Sequence, residues 1–205
     1  MTTKIIEFIG MPRAGKTTQL TLLAQHLRAE GYSVATITDR GREELAVPPA
    51  ESLAYVITLA SLALQRKFQY AHHDFLLVDR GLNDVIAWAD CYLALQKITA
   101  REQAALKAVF ERFAREVSLT LNFQISVPEA LVRHRNVLSE HNAADDQALN
   151  EPFLTVLQQS YKQNETNFHS SIYVDGHQPI EDTQRSIRYA VERITLGELA
   201  RQAVA

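Results

Sequence analysis

The stretch KIIEFIGMPRAGKT, residues 4–17, decides the fold that this chain is expected to adopt. Apolar residues fill its first half, and its second half has the spacing G-x-x-x-x-G-K-T. That spacing is typical of a loop whose backbone N–H groups surround a phosphate, with a lysine on the terminal phosphates and a threonine hydroxyl on Mg²⁺. The predicted nucleotide-binding residues of this loop are Gly10, Met11, Pro12, Arg13, Ala14, Gly15, Lys16, Thr17 and Thr18.

The sequence on either side of the loop supports this interpretation. A β-rich run precedes it, and KTTQLTLLAQHLRAEG follows with apolar residues at helical spacing and a glycine, Gly31, at its end. A strand before such a loop and a helix after it are the context that confirms the motif. The alternative is a glycine-rich turn that carries a lysine by coincidence.

Composition limits the classes of protein to which the chain can belong. Its 205 residues, of which 46% are hydrophobic, predict a single domain over 1–205. A net charge of −3 argues against a nonspecific nucleic-acid binder. The one cysteine, Cys91, allows no internal disulfide, and no signal peptide or membrane-spanning apolar run is evident. We therefore expect a cytoplasmic protein that binds neither membrane nor nucleic acid.

Strand-like and helix-like patterns alternate along the chain. The predicted strands are 5–9, 33–37, 75–78, 119–126 and 171–174. The predicted helices are 16–30, 50–71, 83–96, 100–116, 128–138, 151–168 and 180–200. Such alternation predicts an α/β fold with a five-stranded parallel sheet and helices on both faces. Ligands of such sheets bind beyond the carboxyl ends of the strands, so the loops that follow the strands should form the active site.

Two acidic residues follow predicted strands. Asp79 ends FLLVD, where its carboxylate would complete the magnesium shell that Thr17 begins, and Arg80 would bind an acceptor or the transferred phosphoryl group. The alternative is that Asp79 caps the next helix and Arg80 forms a surface ion pair. Asp39 is the candidate for orienting or deprotonating an acceptor hydroxyl, with Arg40 and Arg42 on an anionic substrate, unless this loop is simply exposed to solvent.

Arginines are the candidates for stabilising charge on a transferred phosphoryl group. Arg133 and Arg135 lie in VPEALVRHRN, before a polar segment that we expect to form a mobile lid at about 133–150. Both could instead be solvated residues near a helix end. Arg13 could act from within the phosphate-binding loop itself, or point into solvent.

A weaker candidate follows the last predicted strand. In VDGHQPIED, residues Gly176, His177 and Gln178 are placed to contact a nucleotide base. The same residues also suit an ordinary turn that enters a helix after Pro179.

These motifs together resemble the thymidylate kinase and deoxynucleoside kinase branch of the P-loop kinases. FIGMPRAGKTTQ, a carboxylate after strand two, DR after strand three, an arginine-bearing lid and YVDGHQPIED occur in the family's order. The resemblance implies a P-loop NTPase three-layer sandwich of the nucleoside monophosphate kinase type, with ATP and Mg²⁺ as cofactors. It also implies a nucleoside or nucleoside monophosphate as acceptor and supports a role for Arg13. Together with the motifs, the predicted catalytic residues are Lys16, Arg13, Asp39, Arg80, Arg133 and Arg135. Many kinases of this type form homodimers, so a homodimer is also expected.

The chain departs from the family on the acceptor side. Pro12 replaces an aspartate of the thymidylate kinase loop, Asp39-Arg40-Gly41 replaces a Glu-Pro-Gly element, and YVITLASLAL carries no arginine. Two alternatives therefore stay open. One is a kinase of the same fold that phosphorylates another small molecule. The other is an ATP-hydrolysing switch protein that acts through a partner, although no Asn/Thr-Lys-x-Asp signature of GTPases is present.

Overall fold

The structure, a computed structural model, describes residues 3–38, 53–141 and 149–202. Five strands form one parallel sheet, as the sequence predicts. The strands are β1 (Lys4–Gly10), β2 (Val34–Ile37), β3 (Phe75–Asp79), β4 (Leu119–Gln124) and β5 (Ser171–Asp175). The helices are α1 (Lys16–Ala29), α2 (Leu53–Gln69), α3 (Leu82–Ala94), α4 (Ala100–Ala114), α5 (Val127–His141), α6 (Glu151–Asn164) and α7 (Ile180–Gln202).

The order of the strands places β1 at the centre of the sheet. It runs β2-β3-β1-β4-β5, and every neighbouring pair is parallel. Right-handed crossovers then place α1 on one face and the helices that follow β2, β3 and β4 on the other. Helix α7 returns to pack on α1, while α2, α4 and α6 pack on α3. The predicted fold of a parallel sheet between two helical layers is confirmed.

Local sequence signals account for several helix ends. Thr99 and Glu102 form a reciprocal capping box at the start of α4, and the Asn150 side chain accepts from the Phe153 N–H at the start of α6. Gly31, with φ 90°, follows the end of α1 in the left-handed region. None of the helices within the described residues is long and apolar enough to cross a membrane.

Burial on both faces explains why β1 and β3 are mostly apolar, whereas β4 (LTLNFQ) alternates apolar and polar residues although all of them are buried. Six of the seven residues of β1 are buried, as are all of β3 and β4. The carboxyl ends of β1 and β3 lie side by side, because Phe8 pairs with Asp79. The loops that follow these two strands therefore meet at one edge of the sheet, where the candidate site lies.

Candidate functional site

The loop between β1 and α1 is shaped by two glycines in the left-handed region. Gly10 has φ 118°, and a Cβ there would lie 2.0 Å from the carbonyl oxygen of Phe123. Gly15 has φ 92° and precedes α1 without a side-chain cap. The Met11 N–H donates to the Phe123 carbonyl at 2.9 Å, which joins the start of the loop to β4. A glycine is required at Gly10 because no other side chain has room there.

Lys16 lies across the inside of this loop. Its side chain is buried, and its ammonium donates to the carbonyls of Gly10 at 3.1 Å and Met11 at 2.8 Å. A cation at the positive end of α1, beside backbone N–H groups that no side chain caps, is the arrangement that binds phosphate. The geometry therefore matches the loop that the sequence predicts.

Thr17 and Asp79 meet at the neighbouring strand end. The Thr17 hydroxyl donates to Asp79 Oδ2, although 62 residues separate them. One hydroxyl and one carboxylate are the hard oxygen ligands that Mg²⁺ takes when nucleotide phosphates and water complete its shell. These two residues thus fit the predicted metal role.

The predicted alternative for Asp79, a cap on the following helix, is not what the structure shows. Helix α3 begins at Leu82, and its first N–H groups are capped by Glu7 from the middle of β1. The Glu7 carboxylate accepts from the Leu82 N–H at 2.6 Å and the Asn83 N–H at 3.2 Å. It is fully buried, and a Cβ on Gly81 would lie 2.1 Å from its Cδ. Burial raises the pKa of Glu7 to about 7, although the N–H donors oppose that shift.

Arg80 follows Asp79 with φ 62° and turns into the protein. Its side chain is buried, its Nη1 donates to Asp84 Oδ2 at 3.1 Å, and its guanidinium lies 5.1 Å from the centre of the Trp88 ring. An arginine stacked on an aromatic ring and paired with a carboxylate is held in one orientation. Its predicted contact with an acceptor stays a prediction.

Asp84 joins three parts of the site and is a residue that the sequence analysis missed. Its Oδ1 accepts from the Gly10 N–H at 3.3 Å and from the Tyr161 hydroxyl of α6 at 2.5 Å, while Oδ2 binds Arg80. The Tyr161 oxygen in turn accepts from Trp88 Nε1 at 3.0 Å. Burial raises the pKa of Tyr161 well above its ordinary value, so the hydroxyl stays a donor.

Arg133, in α5, spans from the phosphate-binding loop to the turn after β5. Its Nε donates to Glu129 at 2.7 Å, its Nη1 to the Arg13 carbonyl at 3.3 Å and its Nη2 to the Gly176 carbonyl at 3.0 Å. Arg135 is exposed on the same helix. The structure therefore brings Arg133, but not Arg135, into hydrogen-bond contact with the loop.

Arg13 has a second partner in α5. Its Nε lies 3.3 Å and its Nη2 3.2 Å from Nδ1 of His134, which is only 4% exposed. The sequence analysis missed His134. One sequence signal could have found it. His134 follows Ala130 by one helical turn, so it lies on the buried side of α5, and a histidine is unusual at a position where an apolar residue is expected.

A cavity of about 280 Å³ opens beside the loop. Its walls come from the loop, from Arg133, and from Gly176 and Gln178 of the turn after β5. Gly176 fits tightly, since a Cβ there would lie 2.5 Å from Ile125 Cγ2 and 3.0 Å from the Ala14 carbonyl oxygen. The turn and the loop are thus in contact, as a nucleotide site at this edge requires.

His177 is not among the residues that line that cavity. Its Nδ1 lies 2.8 Å from Asp175 Oδ1, and its Nε2 accepts from the Ser126 N–H at 3.1 Å. An Nε2 that accepts leaves the proton of a neutral ring on Nδ1, directed at Asp175. The His177 backbone N–H holds the pKa of Asp175 below its ordinary value. His177 lines a separate cavity of about 670 Å³, whereas Gln178 lines the one beside the loop.

Several predictions are not tested by the structure. Asp39, Arg40, Gly41 and Arg42 lie outside the described residues, as do residues 142–148 of the predicted lid. The single-domain organisation, the homodimer and the cytoplasmic location stay predictions from the sequence.

A five-stranded parallel sheet with a glycine-rich loop of this geometry between β1 and α1 defines the P-loop NTPase class of fold. Two solved structures of deoxyadenosine kinase from M. mycoides share it. One, with bound dATP, has a TM-score of 0.64 and 13% identity and covers 94% of this chain and all of its own. The other, with the products dCMP and a flexible dCDP, has a TM-score of 0.63 and 16% identity and covers 92% of this chain and 99% of its own.

Sequence comparison finds a further relative along nearly the whole chain. The thymidylate kinase of Caldanaerobacter subterraneus subsp. tengcongensis is 24% identical over 212 residues, which cover 95% of this chain and 97% of that protein. No protein-family model matches. The resemblance to the thymidylate kinase and deoxynucleoside kinase branch is confirmed by these similarities.

Proposed function

We propose that this chain is an ATP-dependent kinase that phosphorylates a nucleoside or a nucleoside monophosphate. The observation that carries the proposal is the contact between Thr17 and Asp79 beside the loop that Lys16 spans. Similarity to a thymidylate kinase and to deoxyadenosine kinases supports the same activity.

The phosphate side of the site has a residue for each expected task. Lys16 and the N–H groups at the start of α1 would bind the β- and γ-phosphates of ATP. Thr17 and Asp79 would hold Mg²⁺, which neutralises charge on the phosphates when it is bound. Arg13, within this loop, and Arg133, which donates to the Arg13 carbonyl, would stabilise the charge that develops on the transferred group.

The roles that we propose for residues that would bind the phosphoryl acceptor rest on fewer observed contacts. Asp39 would orient or deprotonate the acceptor hydroxyl, with Arg40 and Arg80 nearby. Arg80 is held by Asp84 and Trp88, so we assign it to shaping this side of the site as well as to binding an anion. Arg135 would join the arginines when the lid closes over bound ATP.

A panel of substrates tests the proposal. Purified protein is given ATP and Mg²⁺ with each common nucleoside and nucleoside monophosphate, and ADP formation is compared with that in the absence of acceptor. Acceptor-dependent ADP formation supports the proposal. The Lys16→Ala variant should lose ATP binding by calorimetry, while Arg185→Ala, in an exposed ion pair on α7, should retain it. A well-folded wild-type protein that phosphorylates none of these acceptors would overturn the proposal.

The uncharged first part of α2 favours a second candidate, a kinase of the same fold with another small acceptor. Residues 53–64 carry no charge, and Val56 and Ala60 belong to the core. Such a helix would contact the phosphoryl acceptor through apolar side chains and would not form an ion pair with it. Sugars and aminoglycosides in the same panel separate this candidate from the first.

A further inference from the structure

We propose that His134 is a positioning residue that holds the guanidinium of Arg13 at the phosphate-binding loop. The inference rests on the proposed function, since it gives Arg13 a role in phosphoryl transfer. It concerns a side chain that lies in α5, 121 residues away from Arg13 in the sequence.

The chemistry of the contact fixes the state of the histidine. Nε and Nη2 of Arg13 lie 3.3 Å and 3.2 Å from Nδ1 of His134. A guanidinium only donates hydrogen bonds, so Nδ1 must accept, and the ring is neutral with its proton on Nε2. Two donor nitrogens on one acceptor restrict the rotation of the guanidinium as well as its position.

Two consecutive residues of α5 hold Arg13 from different sides. His134 accepts from its guanidinium, and Arg133 Nη1 donates to its carbonyl at 3.3 Å. Arg13 itself has φ 61°, a left-handed backbone conformation that is strained for a non-glycine residue. The carbonyl contact stabilises that turn, and the histidine contact orders the side chain that leaves it.

Ordering matters because Arg13 is exposed, and a long exposed side chain without a partner samples many rotamers. A free arginine loses rotamer entropy each time it meets the reacting group, whereas a side chain already held does not. Displacement of a positioning group by about 1 Å can cost about 100-fold in rate. We therefore assign to His134 an effect on turnover rather than on ATP binding.

The test is a double-mutant cycle on the full-length protein. His134→Phe fills the buried position without an acceptor, and His134→Asn restores one, because its Oδ1 is bonded to Cγ as Nδ1 is. We expect His134→Phe to lower kcat by about 10- to 100-fold and to change the Kd for ATP by less than about threefold. His134→Asn should recover most of that loss. In an Arg13→Ala background, His134→Phe should change kcat by less than about twofold.

Controls separate positioning from a general effect on the fold. Val132→Ala, at an exposed position of α5, should leave kcat unchanged. Fluorescence of Trp88, the chain's one tryptophan, reports whether each variant is folded, and His134→Leu replaces His134→Phe if the latter is not. Equal losses from His134→Phe with and without Arg13, or no recovery in His134→Asn, would overturn the inference. A wild-type protein without kinase activity would overturn the proposed function instead.

Discussion

Replacement of Glu7 by glutamine is expected to remove a large pH dependence from the stability of the protein. Glu7 is fully buried in β1 and caps α3 through the N–H groups of Leu82 and Asn83. Its pKa is raised from an ordinary value of 4.5 to about 7, mainly because burial disfavours the charged carboxylate. Glutamine has nearly the same shape and keeps one oxygen acceptor, but it does not ionise.

The sign and size of the effect follow from that pKa. Between pH 4.5 and 7 the folded protein retains a proton on Glu7 that the unfolded chain has lost. Stability therefore falls as the pH rises through this window, by about 3 kcal/mol in all at about 1.4 kcal/mol for each pH unit. Asp74 and Asp175 have lowered pKa values, so the stability that they confer is lost in the opposite direction, as the pH falls through those values. This loss is the same in the wild type and in Glu7→Gln, so it cancels when the two are compared.

Urea denaturation followed by Trp88 fluorescence measures the difference between the wild type and Glu7→Gln at several pH values. At each pH, the free energy of unfolding of Glu7→Gln is subtracted from that of the wild type. This difference should fall by about 2 kcal/mol or more between pH 5 and 8. Glu111→Gln, at an exposed position of α4, should follow the wild type at every pH. Parallel curves for the wild type and Glu7→Gln would refute the reasoning, since Glu7 would then not be a proton-binding group in this range.

Three further substitutions have defined outcomes. Gly10→Ala forces a Cβ against the Phe123 carbonyl and should destabilise the protein by about 3 kcal/mol or more in urea; a loss below 1 kcal/mol would contradict the close approach. Tyr161→Phe removes a hydrogen-bond donor to Asp84 and should lower the free energy of unfolding by about 2 kcal/mol in the same assay. An unchanged urea midpoint would argue against a stabilising role for this hydrogen bond. Asp79→Asn should lower kcat about 100-fold and raise the Mg²⁺ concentration required, whereas an unchanged Mg²⁺ dependence would exclude Asp79 from the metal site.

The strands and helices could be predicted from the sequence because the signals that specify them lie within or beside each element. The glycines of the phosphate-binding loop, the apolar spacing of α1 and the capping residues of α4 and α6 act within a few positions. Every predicted strand and helix corresponds to one in the structure, and their ends agree within a few residues, except that the predicted start of the helix 50–71 lies outside the described residues. The contact between Thr17 and Asp79 was also predictable, since both follow strands whose carboxyl ends share one edge of the sheet.

The missed residues interact over long distances in the sequence. Glu7 looks like the exposed side of a strand, but helices cover both faces of this sheet, and its partners in α3 lie 75 and 76 residues away. Asp84 and Tyr161 are 77 residues apart, and Arg13 and His134 are 121 apart. No local pattern encodes such pairs, because they depend on how helices pack across the sheet.

The central place of β1 has a consequence for synthesis of the chain. Of the five strands of this sheet, β1 is translated before its two partners β3 and β4, and the Met11 N–H donates to the carbonyl of Phe123 in β4. A nascent chain that ends before Phe123 therefore cannot complete its phosphate cradle, although the whole cradle motif has already been translated. The apolar strand β1 therefore stays without one of its two neighbours until β4 is made, which is the situation in which exposed strand edges aggregate.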